Sequence, residues 1–192
     1  RQADAHELFL FLIDEFFTAN AKFTNCFEGT YESIVCCQTC KHRSVSAQKF
    51  LTLSIPVKPT IDEMIERWSS EEELEDPIEC DACKKKQPSS KKIILKKLPE
   101  VLVFHLKRFT STTKIHDEVA LDMNITVNKQ KYELYASCNH TGSLNFGHYT
   151  ATCKRKNGAF VVLNDTNVNT VYTLPKTSSS PYLLFYRVIK AE

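Results

Sequence analysis

The chain has 192 residues, of which 42% are hydrophobic and 25% charged, with a formal net charge of +2. That is enough for one sizeable core, and no run comes near the ~18 consecutive apolar residues of a helical membrane span. The small net charge hides an acid-rich stretch over residues 62–79 and a lysine-rich one over residues 84–97, so a charge-steered partner would meet a local patch.

The first residue is Arg, and RQADAHELFLFLIDEFF reads as a helix already under way, with no secretory n-region or cleavage site. The chain is therefore expected to be a piece of a longer protein. Asp4 and Glu7 form a capping-box-like pair, with Ala5, Leu8, Leu12 and Phe16 along one face of a helix running to Thr18 or Ala19. Residues 29–35 and 48–57 are β-branched and apolar enough for strands, the second punctuated by Pro56 and Pro59. Thr60 and Glu63 form a second capping box, and Ile61, Met64, Ile65 and Trp68 have helical spacing, which makes Trp68 a core anchor. KKIILKKLPEVLVFHLKRF reads as two strands broken at Leu98-Pro99, its lysines a solvated strand face rather than a nucleic-acid stripe. From Tyr132 onward come YELYASC, HYTATCKR, GAFVVLND and YLLFYRVI, with Asn157-Gly158 marking a tight hairpin between the second and third. The pattern predicts an α+β fold, mostly antiparallel.

With no secretory signal, the eight cysteines read as thiols or metal ligands in the cytoplasm or nucleus. Cys37-Gln-Thr-Cys40 and Cys80-Asp-Ala-Cys83 repeat a Cys-x-x-Cys turn, and four such thiolates complete a closed, structural tetrahedral Zn2+ site. Buried free thiols and a redox pair are the competing readings, and the redox pair lacks a βαβ context. Cys36, adjacent to Cys37, points to the other face of its strand.

His148 is the candidate general base. If Asn157-Gly158 is a two-residue turn, residue 148 lies opposite 167 and diagonal to Asp165, which then orients the imidazole. A slip of one residue exchanges Asp165 for Asn164 on that face.

RQADAHEL, the paired Cys-x-x-Cys, LPEVLVFHLKRF, YELYASCNHTGSLNFGHYTA, LNDTNV and PYLLFYR occur in that order over nearly the whole chain, which thereby resembles the ubiquitin-specific proteases. These are papain-like cysteine peptidases that cleave the isopeptide or peptide bond after the C-terminal glycine of ubiquitin. The resemblance implies a partial catalytic domain over 1–192, with the end of a thumb at 1–27, zinc-ribbon fingers at 28–97 and a palm at 98–192. It implies that Cys37, Cys40, Cys80 and Cys83 hold zinc, that His148 is the general base, and that Asn164 orients it, with Asp165 as acidic neighbour. Gly147 and Tyr149 then border the channel for the ubiquitin tail. The implied partners are ubiquitin and ubiquitinated proteins, with no nucleic acid and no membrane, for a monomeric domain.

The sequence departs from the family pattern at Ala3 and Leu8, where a second Gln and a Phe are usual, and near Phe160, where a Trp is usual. The family nucleophile precedes QADAHEL, so it is expected outside this chain. Cys26, in NANAKFTNCFEG with Asn20 and Asn25, echoes the family's Asn-Thr-Cys box only faintly and reads as a plain thiol. A non-catalytic ubiquitin-binding module and a zinc-ribbon nucleic-acid binder are the alternatives.

Overall fold

The computed structural model describes residues 3–19 and 26–190. Helix α1 (Ala5–Ala19) begins where the Asp4 carboxylate accepts the N–H groups of His6 (2.7 Å) and Glu7 (3.2 Å). The expected inward face is wrong. Leu8, Leu12 and Phe16 are 54%, 41% and 50% exposed, while Ile13 is buried and Phe9 packs edge-on against Phe27 and Phe185. Residues 8–13 are nearly all apolar, so helical period alone offers more than one stripe. The sheet beneath selects Phe9 and Ile13.

β1 (Gly29–Cys37) pairs antiparallel with β2 (Arg43–Phe50) and with β7 (Ser89–Lys97), and two-residue β4 (Glu72–Glu73) completes a four-stranded sheet ordered β2-β1-β7-β4. The single strand expected over residues 48–57 divides at Leu51-Thr52. β2 ends at Phe50, and β3 (Leu53–Ile55) crosses to the second sheet, where it pairs parallel with β8 (Val101–Leu106). Leu53 and Ile55 are fully buried there, a gain that a local pattern does not reveal.

α2 (Ile61–Ser69) is capped as expected, with Thr60 Oγ1 accepting the Glu63 N–H at 3.3 Å. Its Ile61 and Met64 are completely buried, and Trp68 meets Tyr31 edge-on at 5.5 Å.

The second sheet runs β14 (Asn167–Val171), β13 (Phe160–Asn164), β12 (Gly147–Lys154), β11 (Gln130–Gly142), β16 (Pro181–Val188), β8, β3, with β10 (Asn124–Val127) paired to β11. It is antiparallel except at β3–β8. Leu102, Phe104 and Leu106 of β8 join Leu184 and Tyr186 of β16 in the main core. Val103 and Phe185, of opposite parity, pack under α1. Both faces of these central strands are covered, which is why VLVF and LLF lack a polar alternation. Two short pairs, β5 (Ile78–Cys80) with β6 (Lys85–Gln87) and β9 (Val119–Ala120) with β15 (Thr177–Ser178), complete the α+β architecture. No helix among the described residues is long and apolar enough to cross a membrane.

Candidate active site and cysteine cluster

The β12–β13 connection decides which side chain meets His148. It is not the expected two-residue turn. The Arg155 N–H donates to Ala159 O at 2.7 Å and the Gly158 N–H to Arg155 O at 3.0 Å, with Gly158 at φ +85°. That is a three-residue loop whose last residue is a left-handed glycine, and it adds one residue to the connection. The ladder accordingly pairs Lys154 with Phe160 and Ala151 with Leu163. Continued outward, this register sets His148 diagonal to Asn164, not to Asp165. His148 Nε2 lies 2.6 Å from Asn164 Oδ1. A carbonyl oxygen only accepts, so Nε2 donates, and in the neutral imidazole the lone pair is then on Nδ1. Asp165 Oδ2 is 3.8 Å from the same nitrogen, and its side chain is 76% exposed.

Beside this pair lies a cleft of about 520 Å³, lined among others by Asp4, Glu7, Phe109, His140, Asn145 and Tyr149. Tyr149 lines it, and the Ala5 N–H reaches the Tyr149 hydroxyl at 3.5 Å, joining β12 to the start of α1. His148, one residue earlier in the strand, faces away toward Asn164, so the cleft adjoins the pair without containing it. Gly147 is not a lining residue; its hydrogen leaves room for His140, whose ring occupies the place a Cβ would take.

Several groups around the cleft escaped the sequence reading. Asp4 Oδ2 accepts the Tyr182 hydroxyl at 2.6 Å. Burial works to raise this carboxyl, yet the bonds from Tyr182 and from the N–H groups of Glu7 and His6 hold it below the ordinary carboxylate range. The His6 and His105 rings stack at 3.9 Å, with His6 Nε2 2.9 Å from Thr52 Oγ1 and His105 Nδ1 2.8 Å from Ser54 Oγ. Burial, aided by the neighbouring His6, pushes His105 down to about 4. Arg108 is fully buried; its Nε donates to Pro181 O at 2.6 Å and its Nη1 to Ile115 O and Asp117 O at 3.2 and 2.9 Å. A signal existed in β8 for His105, which shares parity with Val103 under α1 rather than with Leu102, Phe104 and Leu106.

The Sγ atoms of Cys37, Cys40, Cys80 and Cys83 all lie within 4.8 Å of one another, with Cys40 and Cys80 at 3.6 Å. The two turns are copies. Lys41 N–H donates to Cys37 O at 2.9 Å and Lys84 N–H to Cys80 O at 2.8 Å, and both lysines have positive φ, 60° and 53°. Gln38 N–H to Pro88 O (2.9 Å) and Thr39 Oγ1 to Gln87 Oε1 (2.7 Å) tie the first turn to the end of β6, the strand that follows the second turn. The N–H groups of Cys40 and Thr39 help pull the Cys37 thiol down to about 6, whereas its bonds within the cluster, that with Cys40 first, push Cys83 up to about 12. Four sulfurs this close hold a metal ion's worth of thiolate ligands, and the donor set suits one.

Outside the cluster, Cys26, Cys138 and Cys153 are poor nucleophiles. Burial raises Cys26 and Cys153, and raises Cys138 to about 11. Asn20 and Asn25 lie outside the described residues.

Comparison with known proteins places the chain in a family. The profile of the ubiquitin carboxyl-terminal hydrolase family matches residues 1–186. The chain is 31% identical over 195 residues to human ubiquitin carboxyl-terminal hydrolase 21, covering 89% of this chain and 34% of that protein. It is 31% identical over 233 residues to Saccharomyces cerevisiae ubiquitin carboxyl-terminal hydrolase 8, covering 97% and 50%. Among solved structures, a SAGA DUB module of Ubp8, Sgf11, Sus1 and Sgf73 bound to monoubiquitin superposes with a TM-score of 0.87 at 29% identity, over 100% of this chain and 49% of that one. The same module bound to ubiquitin aldehyde gives 0.84 at 27% identity, over 100% and 50%. The chain thus spans a third to a half of the length of these relatives. With its order of motifs, its sheet topology and its profile match in accord, this chain belongs to the ubiquitin carboxyl-terminal hydrolase family, in its ubiquitin-specific protease branch.

Proposed function

We propose that this chain supplies the base and substrate-binding half of a thiol-dependent deubiquitinase that cleaves after the C-terminal glycine of ubiquitin. The observation that carries the reading is the 2.6 Å His148–Asn164 contact beside the cleft. Its Nδ1 lone pair takes the proton of a cysteine thiol, and the thiolate attacks the glycine carbonyl. The imidazolium then protonates the departing amine, leaving a thioester. His148 next takes a proton from water, whose hydroxyl displaces the thiolate and frees the ubiquitin carboxylate. Asn164 holds the ring and its tautomer through both steps, and Asp165 favours the imidazolium electrostatically. The raised thiols of Cys26, Cys138 and Cys153 are the opposite of an activated nucleophile, so we assign that role to a cysteine elsewhere in the protein.

In the same reading, residues 28–97 form fingers and 98–192 a palm, and the diglycine tail of ubiquitin passes Tyr149. The cysteine cluster holds a structural Zn2+. Zn–S bonds near 2.3 Å require sulfurs roughly 3.8 Å apart, and the four here gather to that scale. The ion would brace the two turns and take no part in the hydrolysis. Cysteines kept as thiols and metal ligands suit the cytoplasm or nucleus. The monomeric state expected from the sequence gains no support from the Ubp8 neighbour, which sits in a module with three other proteins.

The test is a ubiquitin probe with a C-terminal electrophile, applied to the full-length protein. Labelling that His148→Ala abolishes is the expected result. No labelling of the full-length wild type leaves a ubiquitin-binding module instead, and labelling at Cys26 overturns the assignment of the nucleophile.

A further inference from the structure

One buried cation beside the cleft is outside the chemistry above. Lys114 is only 8% exposed and forms no ion pair among the described residues. Its Nζ donates to His140 O at 2.8 Å and to Gly142 O at 3.2 Å, and stands 5.8 Å from the centre of the Phe109 ring. Burying an ammonium without a carboxylate is costly, and burial together with nearby Arg108 lowers its proton affinity. The arrangement follows from where those two carbonyls sit on the sheet.

β11 has β12 on one side as far as Gly142↔Gly147. On its other side the β16 register shifts between Cys138 and Asn139, the last pair is Asn139↔Pro181, and Ser180 O takes the His140 N–H at 2.7 Å. Beyond that point no strand among the described residues pairs with this edge of β11, where Lys114 Nζ meets His140 O and Gly142 O. Backbone carbonyls two residues apart point the same way along a strand, and a single ammonium with three donors reaches both.

We propose that Lys114 is a positioning residue for the cleft, an ammonium clamp that replaces the missing strand and fixes the spacing of the cleft's two walls. One wall is its own loop, where Phe109 and Thr110 line the cleft and Phe109 bridges to Lys114. The other is the turn over residues 143–146, closed by Ser143 N–H to Phe146 O at 2.7 Å and carrying Leu144 and Asn145. That turn hangs from Gly142, at φ +111°, and leads directly into Gly147 and His148. Releasing Gly142 O therefore loosens the groove and the approach to the base together.

The inference rests on the hydrolase reading, and its test separates the two. In the full-length protein, Lys114→Met removes the donors at similar length and Lys114→Arg keeps donors. Amide exchange over residues 143–146 should accelerate in the Met variant while β1–β2 stays unchanged. kcat/KM on a ubiquitin substrate, measured well below the melting temperature, should fall at least about tenfold, with the Arg variant recovering part of both. Unchanged exchange in the turn overturns the clamp, and faster exchange with unchanged kinetics overturns its positioning role. If the wild type turns over no ubiquitin substrate, the hydrolase reading fails and ubiquitin affinity decides the clamp. Weaker binding of whole ubiquitin by Lys114→Met, with no change for ubiquitin lacking its last two residues, supports it; equal affinities sink it.

Discussion

Asn164 and Asp165 are adjacent in sequence, yet the structure gives them unequal claims on His148, and the inequality can be worked into numbers. Asn164 Oδ1 holds Nε2 at 2.6 Å, so Asn164→Ala frees the ring to rotate and to take the other tautomer. Losing a residue that orients a catalytic histidine costs on the order of 10² to 10⁴ in rate. Asp165 stands 3.8 Å away and is largely in water. With a dielectric near 80, fitting for so exposed a carboxylate, the Coulomb energy of an imidazolium and a carboxylate at that distance is about 1 kcal/mol, so Asp165→Asn costs on the order of sixfold. Its effect should also shrink as salt rises from about 0.05 to 0.5 M, whereas that of Asn164→Ala should not. The assay is kcat/KM of the full-length protein on a fluorogenic ubiquitin ester or amide at both ionic strengths. A larger loss from Asp165→Asn than from Asn164→Ala, at either salt, would refute the reasoning.

Two further predictions follow from the cysteine cluster and the stacked histidines. Purified protein should carry one zinc per chain, and strong chelation or Cys40→Ser should lower the melting temperature and speed amide exchange in both Cys-x-x-Cys turns; a metal-free protein with unaltered melting would rule out a structural ion. His105 is depressed from 6.5 to about 4, so between those values the unfolded chain binds more protons than the folded one. Its stabilising effect is complete above pH 6.5 and is lost as pH falls toward 4, by at most about 3 kcal/mol for the 2.5-unit difference and by less because the ring is partly wet. Denaturant midpoints between pH 7 and 4 should show this slope, and His105→Asn should flatten it; equal slopes in the two proteins would exclude His105 as its source.

Much of the site was legible locally. The two Cys-x-x-Cys turns announce themselves because their geometry is set within five residues each, and even the lysines with positive φ follow the second cysteine in both copies. The capping residues Asp4 and Thr60 were readable for the same reason, as were the strands around Pro99 and Asn157-Gly158. The helix face was not. Leu8, Leu12 and Phe16 are as apolar as Phe9 and Ile13, and only contact with Val103 and Phe185 distinguishes the two stripes. Nothing in the sequence singled out Arg108 or Lys114, because it carries no count of the carbonyls that a buried cation can satisfy.

By itself, then, the sequence determined the elements that depend on near neighbours: an α+β chain, four clustered thiols in two turns, and a histidine at the head of a strand. Tertiary structure alone decided that β3 leaves one sheet for the other, that His6 meets His105, and that Lys114 meets the end of β11. It also decided between Asn164 and Asp165. Side chains alternate with a period of two along a strand, so a single extra residue at Gly158 exchanges every side chain facing β12, and the carboxamide meets the imidazole in place of the carboxylate.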